Sequence, residues 1–123
     1  MGFRIAAIDH VQLAMPPGHE AEGDAVAFYQ DLLGLDRMEK PAVLAARGGV
    51  WFSNGSVQIH LGVDREFRAA HRAHPALVVE DLDDLHRTLV EAGHAVRWDE
   101  ELPAVRRCYA EDPFGNRIEL IAG

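Results

Sequence analysis

The strongest constraint on this chain is an internal repeat: both halves show the same order of elements, a strand, a helix, then three more strands. The first half opens on the β-type stretch Ile5 to Ala14, closed by Pro16-Pro17-Gly18. From about Ala21 to Leu33 the spacing predicts a helix. Ala21, Ala25, Phe28, Leu32 and Leu35 recur at three- and four-residue steps, and Gly34 supplies a C-terminal cap. Strand-like pieces follow at Val43–Arg47 and Val50–Ser53, then the hairpin signal Asn54-Gly55 and the stretch Ser56 to Val63. The second half starts with His74 to Val79. Asp81 offers an N-cap to a helix whose apolar stripe is Leu82, Leu85, Leu89 and Ala92, ended by Gly93. Strands are expected over Ala95–Trp98 and Val105–Ala110. A turn at Asp112-Pro113-Phe114-Gly115-Asn116 leads into a last strand, Arg117 to Ile121. The charged, alanine-rich segment from Asp64 to Ala73 reads as the linker. The expectation is an α+β fold of two tandem βαβββ modules, module one over about 5–63 and module two over about 74–121.

At 123 residues the chain fits one domain, and at 48% apolar residues it can bury a core. Twelve Lys and Arg against twenty Asp and Glu give a net charge of −8. That balance disfavours nucleic acid or an anionic membrane as partner, since both reward a basic surface. No apolar run reaches the ~18 residues of a membrane span, and the start lacks the basic-then-apolar layout of a secretion signal. Cys108 is the one cysteine, which excludes an intramolecular disulfide and a cysteine-rich zinc site. The chain reads as a soluble, cytoplasmic, acidic protein.

Strand parity is where function enters, because successive side chains point to opposite faces of a sheet. Val11 and Leu13 oppose His10 and Gln12. Val57, Ile59, Leu61 and Val63 oppose Gln58 and His60. Pro75, Leu77 and Val79 oppose His74, Ala76 and Val78, while Ile118 and Leu120 oppose Arg117 and Glu119. Each helix has one apolar stripe and needs one apolar sheet face to cover. The opposite face then holds His10, His60, His74 and Glu119, one from the first and last strand of each repeat. Two or three imidazoles with one carboxylate suit a divalent metal. Taken singly, each strand histidine is more often a half-exposed, hydrogen-bonded residue than a ligand. Four such residues at matching repeat positions favour a site, and an acid bracketed by Ile118 and Leu120 must be solvated, paired or metal-bound. His19, His71, His86 and His94 fall in loops, the linker or the second helix and take the plain reading.

With these residues in view, the sequence resembles the vicinal oxygen chelate superfamily, which includes glyoxalase I, fosfomycin-resistance proteins, extradiol dioxygenases and bleomycin-resistance proteins. The resemblance is carried by Ile8-Asp9-His10-Val11, by Phe28-Tyr29-Gln30-Asp31-Leu32-Leu33-Gly34-Leu35, by His74 to Val79, and by Asp112-Pro113-Phe114-Gly115-Asn116-Arg117-Ile118-Glu119-Leu120. It implies modules whose sheets curl around a metal-bearing cleft with helices on the outer face. It also implies a homodimer, in some members with each site built from two chains. Carried over by position, the metal ligands are His10, His74 and Glu119. His60 stands where glyoxalase I has a glutamate that binds metal and moves a proton, which makes His60 a fourth ligand or a general base.

The implied cofactor is one divalent ion (Zn, Ni, Mn or Fe) and the implied partner a small molecule with vicinal oxygens. The expected reaction class is that of a lyase, isomerase or thiol transferase, with Glu119 and His60 as the catalytic pair. A non-haem iron dioxygenase and a metal-free drug-binding protein are the competing readings. Gln12, Trp51, Arg107 and Tyr109 are candidates for substrate contact. Arg106 and Arg107 stand near the second module's hairpin, where one of them could pair with an anionic substrate group. Both have an equally simple reading as solvated edge-strand charges.

Overall fold

The computed structural model describes residues 2–123. Module one comprises β1 (Val11–Met15), α1 (His19–Ala25) running on as a π-helical stretch (Val26–Leu32), β2 (Asp36–Met38), a short α2 (Ala42–Ala45), β3 (Val50–Ser53) and β4 (Gln58–Val63). Module two comprises β5 (Ala76–Val79), α3 (Leu82–Glu91), β6 (Val96–Asp99), β7 (Arg107–Glu111) and β8 (Arg117–Ala122). The result is two four-stranded mixed sheets, ordered β1-β4-β3-β2 and β5-β8-β7-β6. In each, the first strand lies parallel to the last and the other pairings are antiparallel. A parallel pair needs a crossover, and the helix after each first strand supplies part of it. The α+β two-module architecture expected from the repeat is the one found.

The alternation in the strands becomes burial. Leu13, Met15, Val50, Phe52, Ile59 and Leu61 from the first sheet join Cys108, Ala110, Ile118 and Leu120 from the second in one buried cluster with Phe28, Tyr29, Leu82 and Leu89 of the helices. Burying side chains of this size contributes roughly 1.5–3 kcal/mol each before entropy is counted. Phe28 meets His94, just beyond α3, edge to face at 5.1 Å, so the helical layers of the two modules touch.

A buried polar lock also joins the modules. Tyr29 donates its hydroxyl to Asp112 Oδ2 at 2.7 Å. Asp112 Oδ1 accepts the amides of Phe114 and Asn116 at 2.9 and 2.8 Å. Asn116 donates from Nδ2 to the Ala14 carbonyl of β1 at 2.8 Å and accepts the Ala70 amide at 3.0 Å. Burial, with the Asp112 charge beside it, pushes the Tyr29 hydroxyl well above its ordinary pKa, so it stays a donor.

Three expectations are corrected. β1 begins at Val11, not Ile5, because β4 starts at Gln58 and residues 5–10 have no strand to pair with. His10 and His74 therefore sit one and two residues before their strands. Residues 43–47 form no strand: Ala42–Ala45 is a helical turn entered through Pro41, as suits an alanine-rich stretch, and β2 lies earlier at Asp36–Met38. The hairpin at Asn54-Gly55 forms, but with Ser53 paired to Gln58 the loop spans residues 54–57, and Asn54 Oδ1 accepts the amides of Ser56 and Val57. Asp81 caps α3 and Gly34 ends the first helix at φ 75°, as the sequence predicts. Gly49 precedes β3 at φ 88°, where a Cβ would lie 2.3 Å from the Leu61 carbonyl oxygen, so only glycine fits.

Candidate metal centre

Glu119 occupies the middle of β8, between Ala76 of β5 and Tyr109 of β7. It is 7% exposed, and on its face of the sheet it is held by two donors. His74 Nε2 lies 2.9 Å from Oε1, and Arg107 Nη1 lies 3.2 Å from Oε2. Burial opposes ionisation of the carboxyl, but the hydrogen bonds from His74 and Arg107 outweigh it and hold Glu119 below the usual carboxylate range. The second Arg107 nitrogen, Nη2, donates to Asp99 Oδ2 of β6 at 2.8 Å. Arg107 is thus a bridge between two carboxylates and has no charge left for an anionic ligand.

His74 also faces a second acceptor, since its Nδ1 is 2.8 Å from the Arg72 carbonyl. A carbonyl only accepts, so Nδ1 donates to Arg72 and Nε2 is the nitrogen that faces Glu119. A divalent cation held by Nε2 would leave Nδ1–H on Arg72, the outer-shell bond that a ligating imidazole makes. The buried anion, the nitrogen aimed at it and this fixed tautomer fit a metal ion.

The other half of the constellation lies in module one. His60 of β4 is 5% exposed because it is sandwiched. Trp51 of β3 stacks on one side at 3.9 Å and 7°, and His10 stacks at 4.0 Å and 14°. His60 Nε2 meets Gln58 Oε1 at 2.7 Å, and His10 Nδ1 meets Asp9 Oδ2 at 2.8 Å. Burial lowers the His60 pKa and the neighbouring His10 lowers it further, with Asp9 pulling the other way. Gln12 pairs in register with His60, and its amide lies across Gly62, where a Cβ would come within 2.6 Å of Nε2.

The quartet is therefore two pairs, His10 with His60 and His74 with Glu119. Among the described residues no three or more His, Cys, Asp or Glu side chains come close enough to hold one metal ion. Trp51 and Tyr109 lie on the site-bearing faces, Tyr109 edge-on to His74 at 5.7 Å. Arg106 lies elsewhere, on Asp83 and over the Trp98 ring at 4.1 Å. Cys108 is fully buried on the opposite face of β7, and burial pushes its thiol up to about 11, an inert group. Sequence reasoning places Gln58 and Arg117 on the site-bearing faces without a role, and misses Asp99 and Arg97. Extending the parity rule to β6 and β7 finds both of these, since Arg97 and Asp99 alternate with Val96 and Trp98 and face Tyr109 and Arg107.

Two βαβββ modules, each closing its first strand on its last and showing one polar sheet face, define a protein of the vicinal oxygen chelate superfamily. The glyoxalase-like domain family model matches residues 19–121, and the chain belongs to that family. It is similar to a putative glyoxalase family protein from Bacillus anthracis, at 44% identity and a TM-score of 0.93 over 100% of this chain and 99% of that one. The fosfomycin resistance protein FosX from Listeria monocytogenes, in a form complexed with Mn(II), superposes with a TM-score of 0.76 at 15% identity, covering 98% of this chain and 92% of that one. A lactoylglutathione lyase from Agrobacterium tumefaciens superposes with a TM-score of 0.72 at 21% identity, over 97% and 95% of the two chains. No curated protein matches the chain.

Proposed function

We propose that the chain is a divalent-metal-dependent enzyme of the lyase, isomerase or thiol-transferase kind, acting on a small substrate with vicinal oxygens, and that its site is completed across a homodimer. The observation that carries this reading is the division of the ligand set: His74 and Glu119 stand preorganised in one module, and His10 stands in the other, out of their reach within one chain. In the dimer, His10 of one protomer joins His74 and Glu119 of its partner. Three protein ligands leave open positions at which the bound ion would polarise two neighbouring substrate oxygens as a Lewis acid. The rest is the work of this chain. Arg107 keeps Glu119 ionised and oriented, Asp99 holds Arg107 in place, the Arg72 carbonyl fixes the His74 ring, and Trp51 and Tyr109 wall the two halves. His60 lies against His10 as a neighbour to the ion rather than an anchor.

Subunit mixing tests both claims. His10→Ala and Glu119→Ala should each fold and lose bound Mn, Ni, Zn or Fe(II). When the two are mixed and allowed to exchange, half of the dimers are mixed, and each mixed dimer regains one intact site of two. Metal should return to about a quarter of the wild-type level. No recovery on mixing places the whole site within one chain. Unchanged metal content in the separate variants removes the ligand assignment, and a wild-type chain with no affinity for added divalent ions is a metal-free binding protein.

A further inference from the structure

Three guanidiniums gather on the site-bearing face of the second sheet, around one tyrosine. Arg97 of β6, Tyr109 of β7 and Glu119 of β8 form one cross-strand row, and Arg117 precedes Glu119 by two residues on the same face. The Tyr109 ring centroid lies 4.2 Å from Arg117 Cζ, 5.7 Å from Arg107 Cζ and 5.9 Å from Arg97 Cζ. Arg107 is paired directly with Asp99 and Glu119; Arg97 feels the Asp99 charge only at longer range, and Arg117 has no direct ion pair. Among the described residues neither Arg97 nor Arg117 has a carboxylate within 4.0 Å. The polar contact of Arg117 is a bond from Nη1 to the His71 carbonyl at 3.3 Å. Glu111, opposite Arg117 in register, is exposed and lines the same cavity as Arg97 and Arg117, but among the described residues it makes no ion pair within 4.0 Å. Arg97, Tyr109 and Arg117 line a cavity of about 390 Å³, within the range of small-molecule sites.

Two like charges turned toward one ring repel each other, and the face of the tyrosine offsets this only in part. A chain with a net charge of −8 has carboxylates to spare, yet neither Arg97 nor Arg117 is drawn into a direct ion pair with Glu111 or Asp99 beside them. We propose that Arg97 and Arg117, on the Tyr109 platform, form an oxyanion-binding subsite, and that the substrate therefore has a carboxylate or phosphate-type group next to its vicinal oxygens. The inference deepens the proposed function and rests on it for the word substrate; the subsite itself requires no metal. The anion contact then falls not on Arg106 or Arg107 but on Arg97 and on Arg117, which strand parity places on the face of Glu119.

The test uses the full-length protein stripped of metal by a chelator, at low ionic strength so that the charges are not screened. Inorganic phosphate and acetate are titrated separately by calorimetry, with amide shifts in β6 to β8 followed by NMR. Saturable binding is expected, weakened at least about tenfold (about 1.4 kcal/mol) by Arg97→Ala and by Arg117→Ala, and partly kept by Arg117→Lys. Arg65→Ala, an exposed charge in the linker, should change nothing. Tighter phosphate assigns a phosphate-type substrate, and tighter acetate a carboxylate. The proposal fails if neither anion saturates the wild-type chain, or if the folded Arg97→Ala/Arg117→Ala double variant binds as well as wild type. Because metal is absent throughout, either result leaves the metal reading to be judged by subunit mixing alone.

Discussion

Glu119 shows how a single residue can be both buried and charged. Its surroundings are apolar on two sides, Ile118 and Leu120 being fully in the core, yet donors reach it from β7 and from the segment before β5. Its neighbour across the proposed centre, His60, is fixed by different means: two stacked rings and a bond from Nε2 to Gln58. A nitrogen already bonded to Gln58 must give up that bond before it can ligate, and a neutral imidazole brings no charge to balance the cation. His60→Ala should therefore weaken metal binding by less than Glu119→Ala, while leaving the fold intact. Parallel titrations of the two variants with Mn(II) at neutral pH decide it. If His60→Ala loses the ion as completely as Glu119→Ala, His60 is a full fourth ligand.

At the scale of elements, the turn between β7 and β8 matters more than its length implies. Asp112 and Asn116 fold it by local hydrogen bonds, but Asn116 also ties β1 and the linker to it. Asn116→Ala removes partners from the Ala14 carbonyl and the Ala70 amide together. Leaving such groups unpaired costs roughly 1–3 kcal/mol each. Both are half-buried, so the expected loss is about 2 kcal/mol, or about 8 °C in Tm. Thermal unfolding of the variant checks this, and a shift below about 2 °C would show that water replaces the lock.

This turn also explains what was legible. Asp112-Pro113-Phe114-Gly115-Asn116 reads as a turn from residue types alone, and parity by itself places Glu119 and His60 on the polar faces. Local chemistry and a period of two suffice for both. What stayed hidden depends on partners. Ile5 to Ile8 alternate like a strand but meet no neighbour, and Val43 to Arg47 look extended until Pro41 starts a helical turn. Arg107 reads as a free cation because its two carboxylates, Asp99 and Glu119, are 8 and 12 residues away and meet it only through the β6-β7-β8 register.

For the whole molecule, the exposed apolar surface is where the second copy of the proposed dimer would sit. Phe3, Ile5 and Ile8 are 86%, 85% and 81% exposed on the segment leading to His10, and Val78 is 70% exposed on β5, the strand that follows His74. β1 and β5 are both edge strands with an unpaired side. A stable interface takes about 800 Å² from each partner, about a tenth of the 8164 Å² this chain exposes. Covering the arm and the two edges serves both ends, hiding apolar groups and bringing His10 to the His74–Glu119 pair of the partner. On the proposed dimeric site, metal affinity should depend on protein concentration, because the ion would bind the dimer and not the monomer. Light scattering should give twice the 13.6 kDa chain mass at micromolar concentration. The triple variant Phe3→Ser, Ile5→Ser and Ile8→Ser should move toward the monomer and lose metal in the same proportion, with its far-ultraviolet circular dichroism unchanged. Bound metal that stays constant while the dimer dissociates, on dilution or in the variant, would place the complete ligand set in a single chain.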